Sequence, residues 1–209
     1  LQEQLGRMMR WSNNYIADVL TMNVALEKAR SAPASLADAS RVLVAAVHEA
    51  RASLPQGAAG PAPVRPSTGD GPLLESGSGL TPGSRLSAQD FIAVLAKQYR
   101  DSRRFPAFYG GFVVPRDAAF GFLQTGSEEW LDRVALKTGS LTEPVPVNGI
   151  AGYLRKKNGG WMAFAIIVNG SERVPALGRE RALGAARADL TALFESYVEK
   201  VAPGTVEVT

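Results

Sequence analysis

Two short groups of polar residues carry the chemistry that this sequence can support. Residues 137–140 read Lys-Thr-Gly-Ser at the end of an apolar run, and Ser12 precedes Asn14 by two positions between two helix-like stretches. A serine hydroxyl beside a lysine ammonium can relay a proton, and an asparagine amide offers a substrate both a donor and an acceptor. These residue types suit acyl transfer to a serine, which needs proton transfer and preset donors for the oxyanion.

Each residue of this candidate site has a separate use. Lys137 supplies a positive charge beside a substrate carboxylate, and the hydroxyls of Thr138 and Ser140 can bind that carboxylate directly. Gly139 lets one backbone approach another closely, so that an extended peptide can add alongside this strand. The predicted catalytic residues are Ser12, Asn14 and Lys137, and the predicted substrate-binding residues are Thr138, Gly139 and Ser140.

Structural interpretations compete with this one. Ser12 is well suited to capping a helix, Lys137 to a solvated strand end, and Gly139 to a turn. By chance, Lys-Thr-Gly occurs in about one chain of this length in twenty, and Ser-x-Asn in about every second chain. The two motifs gain weight from their context, a strand end before a hairpin and a turn between two helices.

Composition excludes several classes of function. The net charge is +3, and no basic block carries interleaved aromatics, which argues against nucleic-acid binding. The absence of cysteine excludes disulfides and thiolate metal sites, and the single His48 excludes a histidine-rich metal site. Composition thus leaves neither a thiolate site nor a histidine-rich site for a metal ion. No apolar run approaches the ~20 residues that cross a bilayer, so no transmembrane segment is predicted.

The hydrophobic pattern predicts an α+β fold, with helices first, then an antiparallel sheet, then a covering helix. On the second helix Tyr15, Val19, Met22 and Leu26 share one face, and Asp18 is placed in the first turn. The Pro, Gly and Ala content of residues 55–72 predicts a flexible loop. Residues 102–130 are predicted to be mostly loop, with a short helix near 127–131. The predicted helices are 1–11, 14–30, 36–53, 87–99 and 179–200, and the predicted strands are 133–140, 148–156 and 161–169.

Taken in order, these motifs resemble the C-terminal part of the class C, low-molecular-mass penicillin-binding proteins, the D-alanyl-D-alanine carboxypeptidase/endopeptidase family (peptidase family S13). The matching stretches are 8–18 (MMRWSNNYIAD), 77–80 (GSGL) with 84–91 (SRLSAQDF), 136–141 (LKTGSL), 149–154 (GIAGYL) and 162–170 (MAFAIIVNG). Where the family usually has Asp or Asn before its Gly-Ser-Gly-Leu, this chain has Ser76.

The resemblance implies a penicillin-binding-protein or β-lactamase-like transpeptidase fold, an antiparallel sheet flanked by helices. It implies a serine D-Ala-D-Ala carboxypeptidase, or also an endopeptidase, that cleaves peptidoglycan stem peptides through an acyl-serine and binds β-lactams. The backbone N–H of Ser140 takes the position of one oxyanion-hole donor, and neither a metal nor an organic cofactor is required. The implied location is the periplasm or cell envelope.

The family's nucleophile lies in a Ser-x-x-Lys motif, which none of the 209 residues forms. We therefore expect residues 1–209 to be the C-terminal portion of the penicillin-binding domain, packed against a missing N-terminal part that supplies the nucleophile and further strands. Two alternatives stay open, a non-catalytic module that binds wall peptides and a structural α+β domain in which the motifs are accidental.

Overall fold

The computed structural model describes residues 1–54, 71–156, 159–171 and 177–200, with side chains to residue 194. Most of the predicted flexible loop 55–72 lies outside these ranges. In the described part, helices surround a three-stranded antiparallel sheet with strand order β1-β2-β3. The prediction of an α+β fold is therefore confirmed.

The first four described helices follow the predicted bounds closely. They are α1 (Gln2–Trp11), α2 (Asn14–Ala29), α3 (Leu36–Ala52) and α4 (Ala88–Arg100). Ser35 caps α3 by accepting the N–H of Asp38 at 3.1 Å. Ser87 and Asp90 form a reciprocal capping box at the start of α4, a pattern that satisfies two unpaired backbone donors. Local capping chemistry therefore fixes where α3 and α4 begin.

The stretch 102–130 is more ordered than its mixed composition predicts. It contains α5 (Phe105–Tyr109) and two short 3-10 turns, and it leads into α6 (Glu128–Arg133). Arg116, in the first of these turns, donates to both carboxylate oxygens of Asp132, at 2.5 and 2.6 Å. This ion pair joins the 3-10 turn to α6, immediately before the sheet begins.

The sheet consists of β1 (Val134–Leu141), β2 (Val147–Arg155) and β3 (Trp161–Asn169), each within one residue of the predicted bounds. The register places Lys137 opposite Ala151 and Ser140 opposite Asn148. At the β2–β3 turn Gly159 has a φ of +85°, a conformation that glycine adopts without steric cost, while Asn158 lies outside the described residues.

The two faces of the sheet are covered differently. On one face a buried cluster joins the sheet to α7 (Arg179–Lys200); its larger members are Trp130, Leu136, Ile150, Leu154, Phe164, Leu183, Leu190 and Phe194. On the other, the buried Tyr153 hydroxyl donates to the carbonyl of Leu95 in α4 at 2.7 Å. The sheet thus holds β1, and the tetrad at its end, between two helical layers.

The predicted apolar face of α2 is not a buried face. Tyr15 is 77% exposed, and Val19 and Leu26 are also exposed, whereas the buried residues of α2 are Thr21 and Ala25. α2 contacts α3, and its buried Thr21 lies against the turn at Gly77. Periodicity identifies an amphipathic face but does not decide which face meets the neighbouring helix.

Candidate functional site

The turn between α1 and α2 holds Ser12 in an uncommon backbone conformation. Ser12 ends α1 with φ 49° and ψ 49°, in the left-handed region, which often ends helices although residues other than glycine adopt it less readily; Arg30 ends α2 in the same region. Asn13, not Ser12, caps α2 by accepting the N–H of Ile16 at 3.0 Å. Ser12 therefore caps the end of α1 and not the start of α2, and its hydroxyl remains available for another contact.

That contact is with Lys137, 125 positions along the chain. The Lys137 ammonium donates to the Ser12 hydroxyl and to the carbonyl of Thr138 at 2.6 Å. Burial lowers the pKa of Lys137 below its ordinary value, because a desolvated ammonium is less favourable than a hydrated one. The structure thus pairs a serine hydroxyl with a partly desolvated lysine, an arrangement suited to proton transfer.

The outer edge of β1 is open beside this pair. Val113 and Leu136 exchange two backbone hydrogen bonds of 2.9 Å, so the N–H and C=O of Leu136 point away from β2. Because these directions alternate along a strand, the backbone groups of Thr138 and Ser140 also point outward. Among the described residues, no strand pairs with this edge beyond Leu136. The edge therefore presents two outward N–H groups to an incoming chain.

Side chains of the tetrad leave room for a ligand. Gly139 and Ser140 are exposed and Thr138 is half-buried. A Cβ added to Gly139 would meet no atom within 4 Å. The Ser140 hydroxyl donates to Oδ1 of Asn148 at 2.8 Å, a contact that the motif analysis missed, although counting back along the hairpin register would have placed these residues opposite each other.

Asn14 is less closely tied to the site. It is the first residue of α2 and is exposed. Within the described ranges no hydrogen bond joins its side chain to Ser12 or Lys137. The structure therefore brings together two of the three predicted catalytic residues and leaves Asn14 beside them at the helix start.

The Gly-Ser-Gly-Leu turn at 77–80 docks α2. The N–H of Ser78 donates to Oδ1 of Asp18 at 2.8 Å. Because α2 begins at Asn14, Asp18 lies in its second turn and not in the first turn as predicted. A Cβ on Gly77 would lie 2.7 Å from the carbonyl oxygen of Ala17 and closer still to the Thr21 hydroxyl. Close approach, not a positive φ, explains this glycine.

Ser76 holds the turn together. It is 2% exposed, its hydroxyl is 3.0 Å from the Thr81 hydroxyl, and it accepts the N–H of Gly79 at 3.0 Å. A serine hydroxyl thus satisfies the polar groups of this turn. This turn also fixes the position of α2, whose first residues follow Ser12.

The part of the chain that the structure describes shows neither a metal site nor a membrane-spanning helix. No group of three or more His, Cys, Asp or Glu side chains is placed to hold a metal ion. None of the helices there combines the length and apolarity that a membrane crossing requires.

Known proteins resemble this chain in sequence and in fold. The model of the D-Ala-D-Ala carboxypeptidase 3 (S13) family matches residues 1–189. Penicillin-binding protein 4 from Haemophilus influenzae superposes with a TM-score of 0.66 in a complex with a novel β-lactam and of 0.67 in a second crystal structure, at 22% and 24% identity over 93% and 92% of this chain.

The penicillin G-acylated predatory endopeptidase of Bdellovibrio bacteriovorus, in complex with its immunity protein, superposes with a TM-score of 0.59 at 19% identity over 100% of this chain. At these identities the likeness establishes the fold. This chain spans 40%, 39% and 48% of the three structures' own chains. No curated protein sequence matches it.

Proposed function

Because the chain belongs to the D-Ala-D-Ala carboxypeptidase 3 (S13) family, we propose that it forms the substrate-binding and proton-relay side of a serine peptidase that cleaves D-alanyl-D-alanine stem peptides of peptidoglycan. The observation that carries this proposal is the contact between the Lys137 ammonium and the Ser12 hydroxyl. Two residues of separate motifs meet there with the chemistry that acyl transfer needs. The substrate places the protein in the periplasm or cell envelope.

In the proposed complex the peptide lies along the open edge of β1. Its C-terminal carboxylate binds the hydroxyls of Thr138 and Ser140, close to the charge of Lys137. Asn14, at the start of α2, holds an amide of the peptide. The outward N–H of Ser140 donates to the carbonyl oxygen as negative charge develops on it. Main-chain hydrogen bonds to the edge set the register of the peptide.

The nucleophilic serine comes from outside these 209 residues, since they contain no Ser-x-x-Lys. Its oxygen attacks the carbonyl of the penultimate D-Ala and its proton passes to a base. The C–N bond then breaks, and the Ser12 hydroxyl gives its proton to the departing amine while it receives one from the Lys137 ammonium. Water later hydrolyses the acyl-serine. A β-lactam would acylate the same serine and remain attached.

Penicillin labelling tests the catalytic proposal. We expect fluorescent penicillin to label covalently the full-length protein that includes the nucleophilic serine, and Lys137→Ala to reduce its acylation and stem-peptide turnover by about 10²- to 10⁴-fold, the usual contribution of a proton-transfer group. Arg155→Ala is the matched control, because it removes an exposed cation from the same sheet. Equal labelling of the Lys137 variant and wild type would refute the assignment of the site.

The absence of a Ser-x-x-Lys motif in the sequence also favours a second candidate, a module that binds wall peptides without cleaving them. Reversible binding of a D-alanyl-D-alanine peptide, with neither a covalent penicillin adduct nor turnover, would support it. Products distinguish the finer activities. Release of terminal D-Ala identifies a carboxypeptidase, and cleavage of a cross-linked peptide dimer identifies an endopeptidase.

A further inference from the structure

Asn148 is a buried polar residue beside the candidate site that the proposed mechanism does not use. It lies in the central strand β2, between Ser140 of β1 and Val168 of β3, and is 2% exposed. Asparagine is depleted in strands, and burying an amide costs free energy unless hydrogen bonds compensate for it. A contact with a specific polar group therefore explains its presence.

The group that Asn148 contacts is the Ser140 hydroxyl, at 2.8 Å. Ser140 is exposed at the open edge of β1, where its side chain could otherwise occupy any of three rotamers. Because Asn148 is held within the sheet, this hydrogen bond restricts the exposed hydroxyl to one direction. The buried residue thus orders the exposed one.

Ser140 and Thr138 share one side of β1, since successive side chains alternate. Side chains two residues apart stand about 7 Å from each other, a separation that one carboxylate bridges with two hydrogen bonds of about 2.7 Å. From this geometry we propose that Asn148 is a positioning residue for carboxylate recognition, which it serves by orienting Ser140. This inference rests on the proposed function and deepens it.

An asparagine suits both the free and the bound state. In the free state Oδ1 of Asn148 accepts the Ser140 proton. When Ser140 turns that proton toward a ligand carboxylate, the amide can rotate and donate from Nδ2 to the same hydroxyl oxygen, because its side chain carries both a donor and an acceptor. The hydroxyl therefore keeps its position while its proton changes partner.

The test measures carboxylate selectivity, which we define as the affinity for Nα-acetyl-L-lysyl-D-alanyl-D-alanine divided by the affinity for its C-terminal amide. Asn148→Leu keeps the side-chain size without donor or acceptor. Ser140→Ala removes the proposed hydrogen bond from the Ser140 hydroxyl to the peptide carboxylate and should lower the selectivity by about 10- to 100-fold. Asn148→Leu, which only frees that hydroxyl to turn, should lower it by about three- to tenfold. Asn169→Leu, the same substitution at an exposed position of β3, should leave the selectivity unchanged.

A double-mutant cycle separates positioning from a general effect on stability. Once Ser140 is alanine, Asn148→Leu should change the selectivity no further. Unchanged selectivity in folded Asn148→Leu would overturn the inference. Should that variant not fold, unchanged selectivity in Ser140→Ala would overturn it instead, since Asn148 acts through this hydroxyl. A wild-type protein that binds the peptide and its amide equally would refute the proposed carboxylate site as well.

Discussion

Replacing Gly152 with alanine should separate β1 from β2 and thereby displace Lys137. Gly152 lies opposite Leu136 in the β1–β2 register and is buried. A Cβ at this position would lie 2.8 Å from the Leu136 Cα and nearer still to the Ala135 carbonyl oxygen. Both obstacles are backbone atoms, so a change of rotamer cannot relieve the clash.

The magnitude follows from these distances. Carbon atoms pack at about 3.5–4.0 Å, so β1 must move away by roughly 1 Å. Overpacking of this kind costs about 1–3 kcal/mol, and each stretched ladder hydrogen bond costs up to about 1 kcal/mol more. We expect Gly152→Ala to lower the free energy of unfolding by about 3 kcal/mol, or about 6–12 °C in Tm for a chain of this size.

Gly149→Ala is the matched control in the same strand. Its added Cβ would meet only the Ile166 carbonyl oxygen at 3.8 Å, an ordinary contact. Alanine there should be neutral or should stabilise the protein by up to about 1 kcal/mol, because glycine loses more chain entropy on folding. Urea unfolding followed by circular dichroism measures both variants. Equal stability of Gly152→Ala and Gly149→Ala would refute the reasoning.

Three further predictions concern the site and its support. Burial lowers the pKa of Lys137, so the unfolded state binds more protons than the folded state between that lowered pKa and about 10.4. The free energy of unfolding of the wild type should therefore rise with pH across this window. Lys137→Met should be more stable than the wild type at pH 7 and should lack that rise in urea titrations. Gly77→Ala should clash with Thr21, cost about 1–3 kcal/mol and weaken peptide binding, and normal binding would exclude this turn as a support of the site. Tyr153→Phe leaves the Leu95 carbonyl without its partner and should cost about 1–3 kcal/mol in thermal melts with unchanged peptide affinity.

Much of the fold was predictable because its signals are local. The capping box of Ser87 and Asp90 lies within one turn of helix, and the β2–β3 hairpin needs only apolar runs and a turn. The tetrad at the end of β1 also follows from an apolar run that becomes polar at Lys137. Each of these features depends on residues that are close together in sequence.

The exposed face of α2 and the position of Asp18 were not predictable in the same way. A helical period identifies Tyr15 and Val19 as one face, but the structure leaves that face exposed and buries Thr21 instead, against the turn at Gly77. Asp18 meets Ser78 through a loop that begins some sixty residues later. Both outcomes depend on contacts between elements, which no local pattern encodes.

The sequence by itself determined the residue types of the candidate site and the strand and turn that carry them. The tertiary structure decided which of them meet. It places the Lys137 ammonium on the Ser12 hydroxyl, gives Ser12 a left-handed backbone and ties Ser140 to the buried Asn148. The physical reason is that hydrogen bonds and burial act through space, so a proton relay exists only where the packed helices and the sheet edge bring its groups within reach.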